Sequence, residues 1–182
     1  MRNPKIILKL LTIIFVIGMI SRGYACKCEQ PATAEDGYIK SRTVVHGLVV
    51  SIDTVFLSEI FSREEAEQIE RELQDDQKEL NYFKKGLVLR IKLEIKQIFK
   101  GDFDSDAVII YTPFHSATCG YKFVENLHYI VYASNRSPFS MLLPPLQKHE
   151  QVLKDAPFWT THCTRTDHYS KEEANALSML KN

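Results

Sequence analysis

Four cysteines limit the fold of this chain more than any other feature of its sequence. Cys26 and Cys28 lie close to the start, whereas Cys119 and Cys163 lie far along the 182 residues. A disulfide between Cys26 and Cys28 would close a small strained ring, so we expect each of them to bond one distant cysteine. Two such cross-links would hold the N-terminal segment against two remote parts of one domain.

The first 25 residues have the pattern of a secretory signal peptide. Basic residues precede an almost wholly apolar run from Leu10 to Ile20, and small residues stand at positions −3 and −1 before Cys26. The run is shorter than the roughly 20 residues that span a bilayer. We therefore predict cleavage after Ala25 and a secreted or extracellular protein, periplasmic or on the cell surface in a bacterium, with no membrane span.

The rest of the chain, residues 26–182, is predicted to form one domain without catalytic activity. It carries 19 basic and 23 acidic residues, a balance that gives no support to nucleic-acid binding. It contains no glycine-rich phosphate loop, nucleophile elbow or zinc-protease helix motif. His162, Cys163 and His168 could suggest a metal site, but we expect Cys163 to be oxidised. The prediction is a monomer that is not an enzyme and has no cofactor or metal of its own.

Alternating and β-rich segments predict a mainly β fold. Leu87, Leu89, Ile91, Leu93 and Ile95 would share one face of the clearest strand. The predicted strands are Thr43–Ile52 with a bulge at Gly47, Leu87–Phe99, Ala107–Thr112, His128–Ser134 and Phe158–Cys163. Five short, largely antiparallel strands are typical of a barrel or a sandwich.

Helices are predicted at both ends of the domain and between the first two strands. Thr33 and Ser170 begin capping-box patterns, the second before a helix with Ala174, Leu177 and Leu180 on one face. A charged segment of about residues 62–85 has apolar residues at helical spacing. Between residues 62 and 80 it holds eight acidic and three basic side chains. This helical insertion would project from the barrel as a solvated arm or as a partner-binding arm, and its deletion should leave the fold intact.

The chemistry of Cys26 suggests a function. After cleavage its α-amino group would be free, and such an amine has a pKa of roughly 7.7–8.0, so it can act as a metal ligand near neutral pH. The amine nitrogen and the carbonyl oxygen of one residue can chelate a metal together. A metalloprotease zinc holds three protein ligands and leaves one open position for water. A rigid chelating terminus could displace that water.

Several short motifs resemble the tissue inhibitors of metalloproteinases and the wider netrin-like module family. They are Cys26-Lys27-Cys28, Phe99-Lys100-Gly101, Tyr111-Thr112-Pro113, Cys119-Gly120-Tyr121 and Thr161-His162-Cys163, in an order and spacing that agree over most of residues 26–180. The chain lacks the third disulfide and the second domain of the vertebrate members, so the pattern is nearest to single-domain, bacterial-type members.

The resemblance implies a five-stranded OB-like β-barrel with flanking helices, and the disulfides Cys26–Cys119 and Cys28–Cys163. It also implies inhibition of an extracellular zinc metalloprotease, with Cys26 chelating the target's zinc. An inhibitory ridge would contact the protease through two segments. These are Lys27, Cys28, Glu29, Gln30 and Pro31 after Cys26, and His115, Ser116, Ala117 and Thr118 before Cys119.

One position departs from the family pattern. The second residue of the inhibitors is small, whereas Lys27 is long and charged and fits an apolar pocket poorly. The departure predicts either a different target or no inhibition. The alternatives are a non-inhibitory netrin-like protein-binding module, an envelope protein lipidated on Cys26, or an enzyme. Lipidation would consume the Cys26 thiol, and Gly23 stands where a lipobox has an apolar residue.

Overall fold

The computed structural model describes residues 28–146, 148 and 157–181. The predicted signal peptide, Cys26 and Lys27 lie outside these residues. The helices are α1 (Ala34–Lys40), α2 (Arg63–Glu72), α3 (Gln77–Lys85) and α4 (Lys171–Leu180). The strands are β1 (Thr43–Phe56), β2 (Leu87–Lys100), β3 (Ala107–Pro113), β4 (His128–Ala133), β5 (Phe158–Trp159) and β6 (Asp167–His168). No helix within the described ranges is long and apolar enough to cross a bilayer.

The strands form one curled six-stranded sheet in the order β5-β3-β2-β1-β4-β6. Neighbouring strands are antiparallel except β3 and β5, which are parallel. The mainly β, barrel-like prediction is confirmed at this coarse level. The described sheet has a sixth strand, β6, which the sequence analysis missed because two residues are too few to show an alternating pattern.

Irregular pairing bends the two longest strands. The register between β1 and β2 shifts between His46 and Gly47, which confirms the predicted bulge, and it shifts at two further points. Bulges increase strand bending and twist. This curvature encloses the main core, which contains Val49, Ile91 and Val131 among other buried side chains.

A second apolar cluster lies between β2, the helical insertion and the loop after β4. Ile69 of α2 and Phe83 of α3 are fully buried there with Trp159, and Leu143 contributes from the loop. The helical insertion lies between β1 and β2 as predicted, and it packs its apolar side into this cluster while most of its charged residues remain exposed. Val88 of β2 packs into this cluster, whereas Leu87 at the start of the strand is exposed.

The helices α1 and α4 cover the face of the sheet that lies opposite the main core. Ala34, Ala174 and Leu177 pack there against Phe99 and Tyr132. The predicted N-caps are confirmed, because Thr33 accepts a hydrogen bond from the Asp36 amide and Ser170 accepts one from the Glu173 amide. These two helices fix the positions of the chain segments next to the candidate site.

Candidate functional site

A disulfide joins the N-terminal segment to the loop after β5, and the Cys119 turn lies beside it. Cys28 forms a disulfide with Cys163, with 5.4 Å between their Cα atoms, as the family resemblance implied. Cys119 is also disulfide-bonded, and the predicted pairing with Cys26 involves a residue outside the described ranges. The sulfur atoms of Cys28, Cys119 and Cys163 lie within 4.8 Å of one another. Since a disulfide consumes the Cys163 thiol, that thiol is not available as a metal ligand beside His162 and His168.

A tight turn places Cys119 at this cluster. Residues 116–118 form one 3-10 turn, closed by hydrogen bonds from the amides of Thr118 and Gly120 to the His115 carbonyl. Cys119 itself has a left-handed backbone with φ 64°. A Cβ on Gly120 would lie 2.0 Å from the Pro113 carbonyl oxygen, so only glycine fits beside the end of β3. Steric exclusion therefore explains why a glycine follows Cys119.

Further hydrogen bonds hold the turn against the loop that carries Cys163. The Tyr121 amide donates to the Thr112 hydroxyl at 2.8 Å, and the His162 amide donates to the Cys119 carbonyl at 2.8 Å. The Tyr121 and His162 rings lie 5.5 Å apart. Burial, reinforced by the nearby Asp167 carboxylate, raises the pKa of Tyr121, so its hydroxyl stays protonated at neutral pH. The turn is thus fixed on both sides.

Arg165 anchors the segment that follows Cys28. Its guanidinium donates to the carbonyls of Pro31 and Ala32, both at 3.1 Å, and forms a two-pronged ion pair with Glu173 of α4. The Glu173 carboxylate also accepts a hydrogen bond from the Tyr132 hydroxyl. The Arg165 hydrogen bonds lower the pKa of Glu173 against the opposing effect of its burial. The anchor therefore stays charged at neutral pH.

The two predicted ridge segments are brought together and face solvent. Cys28, Glu29, Gln30 and residues 115–118 are exposed, and Pro31 is half-buried. Gln30 donates a side-chain hydrogen bond of 2.8 Å to the His162 carbonyl, which holds the first segment against the disulfide loop. Cys26 and Lys27, the residues meant to reach the protease zinc and its pocket, lie outside the described residues.

An apolar groove adjoins the second ridge segment. It has a volume of about 870 Å³ and runs between α3 and the loop after β4, with His115 and Thr118 at one end. Its apolar lining residues are Tyr82, Leu87, Leu142 and Leu143. No sequence pattern predicts this groove, because the groove depends on how the insertion packs against the sheet.

Sequence comparisons do not identify the chain: no protein-family model matches it, and no curated protein matches it significantly.

Sequence reasoning also missed the Arg165 anchor and a histidine pair on the sheet. In the sequence, Glu173 was the only residue that pointed to the anchor. The capping-box pattern, however, predicts that its carboxylate bonds the backbone amide of Ser170 rather than Arg165. His46 and His128 both lie in predicted strands, but the order of those strands in the sheet cannot be read from an alternating pattern.

Proposed function

We propose that this protein is a secreted inhibitor of zinc metalloendopeptidases with an OB-like fold. The observation that carries the proposal is the juxtaposition of residues 28–31 with the exposed turn of residues 115–118 at one disulfide cluster. This is the arrangement expected of an inhibitory ridge formed from an N-terminal segment and a remote turn. The predicted signal peptide and the disulfides agree with an oxidising compartment outside the cytoplasm.

The proposed mechanism is chelation of the target's catalytic zinc by Cys26. After signal cleavage the free α-amine and the carbonyl of Cys26 would take the coordination position that water occupies in the active protease. The protease would then lack both its nucleophile and access for the scissile peptide. The neutral amine is the ligand form, so inhibition should weaken as the pH falls below the amine pKa.

Rigidity next to Cys26 would favour tight binding. The Cys28–Cys163 bond, the Gln30 hydrogen bond and the Arg165 anchor order residues 28–32 before any partner arrives. A preorganised segment loses less conformational entropy on binding than a flexible one. The exposed ridge can therefore dock without a folding step.

The test is an N-terminal extension. Adding one alanine before Cys26 converts the Cys26 amine into an amide, a poor metal ligand, and moves the new amine away from the zinc. We expect the native protein to inhibit at least one member of a panel of zinc endopeptidases and the extended protein to inhibit none. Intact mass would check that each chain starts as intended and holds two disulfides. Equal inhibition by both proteins would refute chelation.

A second candidate function is protein binding without inhibition. The apolar groove beside α3 favours it, together with the strongly exposed Leu142 in its lining and the exposed Met141 that precedes Leu142 in the chain. If neither the native nor the extended protein inhibits any panel member, this netrin-like binding role becomes the better account.

A further inference from the structure

Two histidines face each other on neighbouring strands of the sheet. The Nε2 atom of His46 on β1 and the Nδ1 atom of His128 on β4 are 3.0 Å apart. His128 is exposed and His46 is half-buried. The Tyr169 ring stacks on His46 with 4.1 Å between ring centroids, and the Tyr169 amide donates to the His128 carbonyl. The pair is thus held on two hydrogen-bonded strands.

The separation of the two nitrogens suits a metal ion. Imidazole binds transition metals at about 2.0–2.1 Å. Two such bonds to nitrogens 3.0 Å apart subtend an angle of about 95° at the metal. This is near the angle between neighbouring ligands in square-planar or octahedral coordination, which Cu²⁺ and Ni²⁺ favour, and is smaller than the tetrahedral angle. Since the hydrogen bond directs one nitrogen at the other, metal binding requires the exposed His128 ring to turn until both lone pairs point to one position.

The proton balance permits binding to the pair when both rings are neutral. One facing nitrogen carries the proton of the hydrogen bond between the rings. When a cation takes that place, the donor imidazole can carry its proton on its other ring nitrogen, so the neutral pair releases no proton.

We propose that His46 and His128 form a two-histidine site for a divalent transition-metal cation, with Cu²⁺ bound more tightly than Ni²⁺. The remaining coordination positions face solvent and would hold water. The order follows the general affinity series of these ions for nitrogen ligands. The site is independent of the proposed inhibitory ridge, and a bound cation would cross-link β1 to β4 directly.

The first experiment measures binding to the disulfide-bonded protein at pH 7. We expect calorimetry to resolve one Ni²⁺ equivalent at the histidine pair, distinct from any that the free Cys26 amine binds. We also expect a Cu²⁺ electron paramagnetic resonance signal split by two imidazole nitrogens. His46→Gln and His128→Gln should each weaken Ni²⁺ binding at least about tenfold, as loss of supporting groups alone does at metal sites. His115→Gln, which removes another exposed histidine, should change nothing. Unchanged affinity in both pair variants, or no binding to the native protein, would overturn the proposal.

A second variant tests the site while keeping both imidazoles. Lys96 is a positive charge near His46 and is paired with Glu94 at the surface. Lys96→Gln removes repulsion toward the cation and frees the Glu94 carboxylate, so Ni²⁺ affinity should rise several-fold at low ionic strength. Lys92→Gln makes the same change four residues earlier on β2 and should leave the affinity unaltered. Equal responses of the two lysine variants would contradict a site at the histidine pair.

Discussion

Gly120 lies where the chain leaves the Cys119 turn and passes the end of β3. Its absent side chain lets the backbone approach the carbonyls of Pro113 and His115, at 2.0 and 2.9 Å from an ideal Cβ. Gly120→Ala must displace that backbone, and we expect a loss of about 1–3 kcal/mol in the free energy of unfolding. Gly47→Ala is the matched control, since its Cβ would meet neighbours at 3.1 Å or more. Denaturant unfolding of both variants measures the difference, and equal losses would argue against the close approach.

Arg165 is the second residue on which the ridge depends. Arg165→Ala leaves Glu173 and the carbonyls of Pro31 and Ala32 without their donor, at an expected cost of about 2 kcal/mol at pH 7. The exposed Arg63–Glu67 pair provides the control, because Arg63→Ala should change stability by less than about 0.5 kcal/mol. Equal stability of Arg165→Ala and the native protein would show that the anchor contributes nothing.

The same anchor has a pH signature. The folded-state pKa of Glu173 is lowered from 4.5, so its stabilisation is present above that value and is lost as the pH falls through the lowered pKa. Arg165→Ala should therefore lose less stability than the native protein between pH 4.5 and the acid transition. Parallel stability curves for the two proteins in this range would contradict the assignment.

At the scale of elements, the helical insertion supports the fold through its apolar side. Phe83 is fully buried against the second cluster, where its ring lies 5.9 Å from that of Phe61. Phe83→Ala should lower the free energy of unfolding by about 3–5 kcal/mol, whereas Lys78→Ala on the exposed side of α3 should change it by less than about 0.5 kcal/mol. Thermal unfolding followed by circular dichroism separates these outcomes. A Phe83→Ala protein as stable as the native one would show that the packing of the insertion does not support the fold.

The elements that sequence predicts well here carry local signals. The caps at Thr33 and Ser170 and the alternation in β2 reflect contacts within a few residues of one another, so the pattern alone is sufficient. The role of α2 and α3 depends on distant partners such as Trp159. A stripe of apolar residues such as Ile69 shows that one side is buried but does not identify the surface that buries it.

At the scale of the whole molecule, the cysteine spacing predicted which parts of the chain meet, and the Cys28–Cys163 bond agrees. The contacts that hold the ridge were not predictable in the same way. Arg165 reaches Pro31 across 134 positions, and Gln30 reaches the His162 carbonyl across 132. Such pairs arise from the packing of the complete sheet, and no motif in either segment specifies the other.

In the proposed mechanism, the N-terminal ridge occupies the catalytic zinc site of its target. The most direct measurement is binding of the protein to a zinc endopeptidase that it inhibits, with and without a small hydroxamate that saturates the catalytic zinc. Because both ligands need the same coordination position, the apparent Kd should rise in proportion to the hydroxamate concentration. An unchanged Kd, with protein, protease and hydroxamate in one ternary complex, would contradict the account.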